Sequence, residues 1–246
     1  MSTAAPALTA GGVATTERKP TNKWLVTVSI TFGTLMGAID ASIVNVAVPH
    51  LMGSLGVTVE QITWVTTGFV IATVMVMPLT GFLARLFGQK RIYMISLFLF
   101  IVGSALCGLA HTLPLLVFFR ILQGLGAGAL QPTEQAILRQ TFPPQEQGMA
   151  MALFGMAVVL GPAFGPTLGG YIVDNYSWPW IFFINIPIGI VSLLMVQRFV
   201  QEPEDVRAAM HEMAARMSGG SWTNFVTMSN ERAPMGTLMK KIHGHE

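Results

Sequence analysis

Asp40 and Arg120 are the two clear charges that stand inside long apolar runs of this sequence. Asp40 lies in "MGAIDASIVNVAVP" (Met36–Pro49) and Arg120 in "LLVFFRILQGLGAGAL" (Leu115–Leu130). A carboxylate and a guanidinium in such surroundings make either a static ion pair or a proton site. Poor hydration favours a neutral acid, whereas a nearby guanidinium favours the carboxylate. Moving the guanidinium, or bringing in a substrate, would then load or release a proton at Asp40. Both readings stay open on the residues alone. Asn45, five residues after Asp40, and Gln123, one turn from Arg120, are the candidate polar lining of a substrate cavity. Glu134 reads as interfacial charge at the inner end of its helix.

The elements that must hold these residues are membrane helices. Only 11% of the 246 residues are charged and 52% are apolar, against roughly 25% charged in an ordinary soluble chain. A soluble domain would lack the charge to cover its surface. The net charge of +2 gives no sign of a nucleic-acid partner. A helix needs about 20 apolar residues to cross the hydrocarbon core, and six segments qualify: roughly 24–49, 62–84, 92–111, 113–134, 149–172 and 178–200. Arg18, Lys19 and Lys23 precede the first, Arg85, Lys90 and Arg91 separate the second and third, Arg139 follows the fourth, and Arg198 ends the sixth. The three alternate connections hold neither Lys nor Arg. That is the positive-inside pattern, and it places both termini in the cytoplasm. Trp64, Tyr171, Tyr176, Trp178 and Trp180 then mark the outer boundary, Trp24 and Tyr93 the inner one. Asp40 is nine residues before Pro49 and Arg120 nine after His111, so each lies roughly 10–14 Å below the outer surface at ~1.5 Å per residue. A lone charge at a helix centre costs about 2.5–3.5 kcal/mol, which two opposite charges at one depth can offset by facing each other.

The fifth span, "GMAVVLGPAFGPTLGGYIV", repeats Gly161, Gly165 and Gly169 every four residues, with Gly170 beside the last and Pro162 and Pro166 between. Small residues at this spacing let helix backbones approach closely, and each proline removes a backbone donor. The segment is a tight packing surface, or a bent helix that seals two halves of a transporter. "LGPAFGPTLGG" resembles the antiporter motif of the major facilitator superfamily, and "RILQGLGAG" its fourth-helix motif. "AIDASIVNVAVP" and "WPWIFFINIPIG" are similar to the first- and sixth-helix signatures of its fourteen-helix drug:proton antiporters, multidrug efflux transporters of the EmrB and QacA type. The likeness runs from about residue 22 to 200. "GFLARLFGQKR" resembles the superfamily's cytoplasmic loop, with Gly81, Gly88 and Lys90 in place, but Arg85 stands where that motif is acidic. A gating salt bridge through that acid is therefore not expected.

The resemblance implies an all-α membrane protein, the N-terminal half of a major-facilitator fold, with six helices in a 3+3 inverted repeat. It implies proton-driven export of amphipathic, drug-like compounds from the cytoplasmic (inner) membrane, with Asp40 and Arg120 in proton coupling. A periplasmic adaptor and an outer-membrane channel are partners implied by the family alone. No cofactor and no metal are expected: "GLGAG" (Gly124–Gly128) follows no strand, and His211-Glu212 lacks the second histidine of a zinc-protease motif. Cys107 reads as a small buried residue. Residues 1–22 read as a disordered cytoplasmic tail, 23–200 as the membrane domain, and 201–246 as a cytoplasmic tail with an amphipathic helix at 203–218. Residues 219–246 read as disordered, frameshifted or a genuine tail. One six-helix half forms one wall of the usual cavity, so two hypotheses follow. One is an exporter, complete or half-size, acting as a homodimer or with a complementary half. The other is a non-transporting remnant or membrane interaction subunit.

Overall fold

The computed structural model describes residues 22–201. The expected N-terminal tail before Asn22 and the expected helix at 203–218 lie outside the described residues. The chain forms α1 (Lys23–Leu55), α2 (Val59–Phe87), α3 (Gln89–Gly108), α4 (Leu113–Thr141), a 3₁₀ turn at Pro144–Glu146, α5 (Gln147–Asn175), α6 (Trp180–Phe183) and α7 (Asn185–Phe199). No strand occurs among the described residues. Six spans are long and apolar enough to cross a bilayer, with α6 and α7 together making the sixth.

Four of the helices, α1, α2, α4 and α5, outrun the apolar segments that announce them. The first continues past Pro49, which sits inside α1; the ring costs one backbone bond but the turns carry on. It stops at Gly56, in the left-handed region at φ 65, with the Gly56 and Val57 amides both on the Met52 carbonyl. Two residues later Thr58, with Gln61, caps α2 reciprocally. The fourth helix runs seven residues beyond the predicted Glu134, to Thr141. The predicted loop between the second and third spans is a single residue, Gly88, at φ 89 and ψ 149, a conformation that only glycine adopts without strain. Gly81 and Arg85 of that motif are helical, with Arg85 Nε donating to the Gly81 carbonyl at 3.2 Å. Lys90 opens α3 and donates to the Gln197 carbonyl at 2.8 Å, where a cation suits the C-terminal end of α7. Lys23 pairs with Glu146 at the same end of the bundle.

The packing repeats with inversion. α1 runs along α5 as α2 runs along α4, so exchanging the first three spans with the last three maps one pair onto the other. Both seams use glycines four apart. Gly161, Gly165 and Gly169 lie against Ala38, Ser42 and Ile43 of α1. A Cβ on Gly124 or Gly128 would stand 2.5 Å from the Phe69 or Thr73 carbonyl oxygen of α2. Gly170 faces open space, and Pro162 and Pro166 are exposed on an unbroken α5. The glycine face is therefore spent inside the bundle, on α1, and is not offered to a second half.

Polarity is inverted relative to a soluble protein. Val70, Val74, Met75, Phe98 and Leu194 are exposed, while Asp40, Arg120, Gln123, Glu134 and Asn185 are buried. Lipid supplies the apolar solvent such a surface needs. Trp24, Trp64, Tyr171, Tyr176 and Trp180 are exposed, as boundary aromatics should be. Tyr93 is not among them: it is fully buried and donates to the Ile30 carbonyl at 2.6 Å. A tyrosine deep in a bundle needs such an acceptor for its hydroxyl.

Candidate functional site

Asp40 of α1 sits where five of the six spans converge. Arg120 Nη1, from α4, donates to its Oδ2 at 2.7 Å. Gln123 Nε2, one turn along α4, donates to Oδ1 at 3.0 Å, and Asn185 Nδ2, at the start of α7, donates to the same oxygen at 2.8 Å. Arg120 Nη1 also reaches Gln123 Oε1 at 2.8 Å, closing a three-membered ring of contacts. Each of these four side chains is at most 1% exposed.

The donor and acceptor chemistry fixes the amide orientations. Asp40 as a carboxylate only accepts and Arg120 only donates. Gln123 must therefore turn its nitrogen to Asp40 and its oxygen to Arg120, where Cys107 Sγ also donates at 3.7 Å. Asn185 must present its nitrogen to Asp40. It shares that nitrogen with Ser104 Oγ on α3 at 3.0 Å, and the Ser104 hydroxyl in turn donates to the Phe182 carbonyl of α6 at 2.8 Å. The Asn185 Oδ1 has no hydrogen-bond partner among the described residues. Arg120 is completed by the Val65 carbonyl of α2 at 3.4 Å. The face of Phe69 lies 4.1 Å from Cζ, a distance that favours a cation. The arrangement solvates one negative and one positive charge in a place water does not reach.

The family profile of the Major Facilitator Superfamily matches residues 30–238. The chain belongs to the major facilitator superfamily. It is 46% identical to the multidrug export protein EmrB of Haemophilus influenzae over 171 residues, 70% of this chain and 34% of that protein. It is 43% identical to EmrB of Escherichia coli K12, over 70% of this chain and 33% of the relative. The fatty acid resistance protein FarB of Neisseria gonorrhoeae is 45% identical, over 73% and 35%. The chain thus spans about a third of the length of these relatives. The proton:xylose symporter XylE shares the fold at a TM-score of 0.68 and 15% identity, over 85% of this chain and 52% of that structure. The human organic anion transporter MFSD10 does so at a TM-score of 0.61 and 18% identity, over 74% and 48%. The architecture is that of a multi-pass membrane transporter of this superfamily.

Of the residues singled out in the sequence, Asp40, Arg120 and Gln123 come together. Asn45 does not: it is exposed on α1, its Nδ2 folded back onto the Ala41 carbonyl at 3.2 Å. Five residues turn a helix by about 140° past a full turn, so Asn45 points almost opposite to Asp40. Glu134 is not interfacial. It is fully buried, because α4 continues two turns beyond it. Asn185 and Ser104 were not foreseen. Each is a polar residue in an apolar segment, and that was the available signal; nothing local tells that Asn185 reaches α1 and that Ser104 meets α6 and α7.

Proposed function

We propose that this bundle is one half of a proton-coupled exporter of amphipathic, drug-like compounds, working by alternating access in the cytoplasmic (inner) membrane. The observation that carries the reading is the enclosed Asp40–Arg120 pair, with Gln123 and Asn185 completing the carboxylate's contacts. Ionisable groups at membrane depth are costly and are usually retained for ion or substrate pathways. The names of the EmrB relatives support the substrate class. The alternation of Lys and Arg supports cytoplasmic termini. In this reading a movement within this half, or the arrival of substrate, separates Asp40 from Arg120 and opens the carboxyl to proton exchange. Asn45, on the open side of α1, offers a polar contact to substrate in the cavity shared with a complementary half or a second copy. Export would continue through a periplasmic adaptor and an outer-membrane channel.

The test is dye efflux in proteoliposomes under an imposed pH gradient, comparing wild type with Asp40→Asn. Wild-type efflux that follows the gradient, with Asp40→Asn uncoupled, is the expected result. Gradient-driven efflux unchanged by the substitution would remove Asp40 from coupling.

A second reading has its own observation. With three donors on Asp40 and an aromatic face over Arg120, the cluster is also well built as a permanent lock in a non-transporting membrane subunit. No dye movement in any reconstitution, together with strong destabilisation on breaking the pair, favours that reading. Crosslinking in native membranes shows whether two copies associate.

A further inference from the structure

We propose that Glu134 is a second exchangeable-proton site, separate from Asp40 and held as a neutral carboxylic acid in this conformation. It lies on α4, 14 residues after Arg120 in the chain, hence roughly 21 Å further along the helix axis. Its side chain is fully buried. Thr31, from α1, donates to Oε1 at 3.4 Å, a long contact for a hydroxyl donor. Oε2 has no partner.

The contrast with Asp40 carries the inference. Both carboxyls are fully buried, but one is met by a guanidinium and two amides and the other by a single neutral hydroxyl. Glu134 takes part in neither the Asp40–Arg120 nor the Lys23–Glu146 pair. An ionised carboxylate without such partners costs far more in low dielectric than a neutral acid does. The charged and titratable groups around it do not change this. α5 carries no Asp, Glu, Lys, Arg or His from Gly148 to Val173, α2 none from Gln61 to Ala84, and α7 none before Arg198. α3 carries Lys90, which donates to the Gln197 carbonyl, and the exposed Arg91 in its first turn, followed by Tyr93, whose hydroxyl is committed to the Ile30 carbonyl. On α1 the nearest cation in the chain is Lys23, eight residues before Thr31, and it is held by Glu146. On α4 itself Arg139 is exposed, five residues beyond. Thr31 is only half-buried, so its hydroxyl links the enclosed carboxyl to the surface of α1, the route by which a proton would exchange.

The inference is independent of export, and infrared spectroscopy of the chain in lipid tests it. At neutral pH the wild type should show a protonated-carboxyl C=O band that shifts in D₂O. The band should also shift when glutamate is ¹³C-labelled, which assigns it without any mutation. Glu134→Gln should abolish it, Glu134→Asp should move it, and Asp40→Asn should leave it in place. Absence of any band that responds to glutamate labelling, or a band that survives Glu134→Gln, overturns the proposal. If Glu134→Gln does not fold, the labelled wild type and Glu134→Asp still decide. A missing glutamate band alongside gradient-driven efflux would dismiss Glu134 and leave the export reading standing; the band without efflux would do the reverse.

Discussion

Replacing Asp40 with Leu removes one charge and leaves the other where it is. Arg120 would remain 1% exposed, with the Gln123 oxygen at 2.8 Å, the Val65 carbonyl at 3.4 Å and the Phe69 ring as its remaining company. Gln123 and Asn185 would each lose an acceptor. Breaking a buried pair from one side costs about 3–5 kcal/mol. In a membrane the unfolded reference also finds partners, which pulls polar contributions down, so about 3 kcal/mol is expected, roughly a hundredfold in the unfolding constant. Arg120→Met should cost a similar amount, since it strands the carboxylate. The double variant Asp40→Leu with Arg120→Met buries no charge and fills the space with carbon. It should be no less stable than either single variant, rather than lose the sum of about 6 kcal/mol. Detergent-driven unfolding in mixed micelles, followed by helical circular dichroism, measures all four corners of the cycle. Single losses below about 1 kcal/mol, or losses that add within about 0.5 kcal/mol, would show that the two charges are not a coupled, desolvated pair.

Asn185→Leu should cost about 1–3 kcal/mol, because it removes a donor from a buried charge and leaves Ser104 Oγ without its incoming bond; the same unfolding assay reads it, and a change within error would deny Asn185 a place in the cluster. Gly165→Leu and Gly124→Leu should each prevent the close seam between α1 and α5 or between α2 and α4, since their Cβ positions are already filled by Ser42 and by the Phe69 carbonyl. Gly170→Leu, at an open position, should be tolerated, and proteolytic protection of the folded bundle separates the three. Gly88→Ala should lose about 1–3 kcal/mol through its positive φ of 89; wild-type stability in that variant would mean the α2–α3 link is not set by backbone strain.

The six spans were legible because lipid imposes a length and loops carry a charge bias, and both act on composition rather than on tertiary detail. Where helices end was not legible from hydropathy. The apolar count sees the hydrocarbon slab, but hydrogen bonding continues through "EQAILRQT" to Thr141 and through Pro49 to Leu55. That shortfall is why Glu134 was placed at a helix end and α2–α3 was given a loop. The Asp40–Arg120 contact followed from depth alone, since both positions are nine residues from an outer boundary. Gln123, three residues from Arg120, shares its face and joins the cluster; Asn45, five from Asp40, faces the open side of α1. Asn185 and Ser104 were missed because their contacts lie 145 and 78 residues away in the chain, where no local period reports on them.

The location of the cluster constrains how any coupling at Asp40 can work. All of its partners come from this one bundle: Arg120 and Gln123 from α4, Asn185 from α7. Rocking two halves as rigid bodies, the usual basis of alternating access, leaves every distance within a half unchanged. Asp40 would then accept the same three donors in the inward-open and outward-open states, and its affinity for a proton would not differ between them. A ligand or proton shifts an equilibrium only through a difference in affinity for the two states. Proton coupling at Asp40 therefore requires movement inside this half, of α4 or α7 against α1. The sixth span has the weaker ladder: its backbone stays helical through Ile184 at φ −60 and ψ −27, but Pro187 removes an amide donor one turn on, whereas α4 is packed closely on α2 at Gly124 and Gly128. The expectation is that spin labels on the outward faces of α1 and α7 change separation between acidic and alkaline pH, while a pair on α2 and α4 does not. Constant distances in both pairs, in a protein whose efflux follows the gradient, would move the coupling proton away from Asp40.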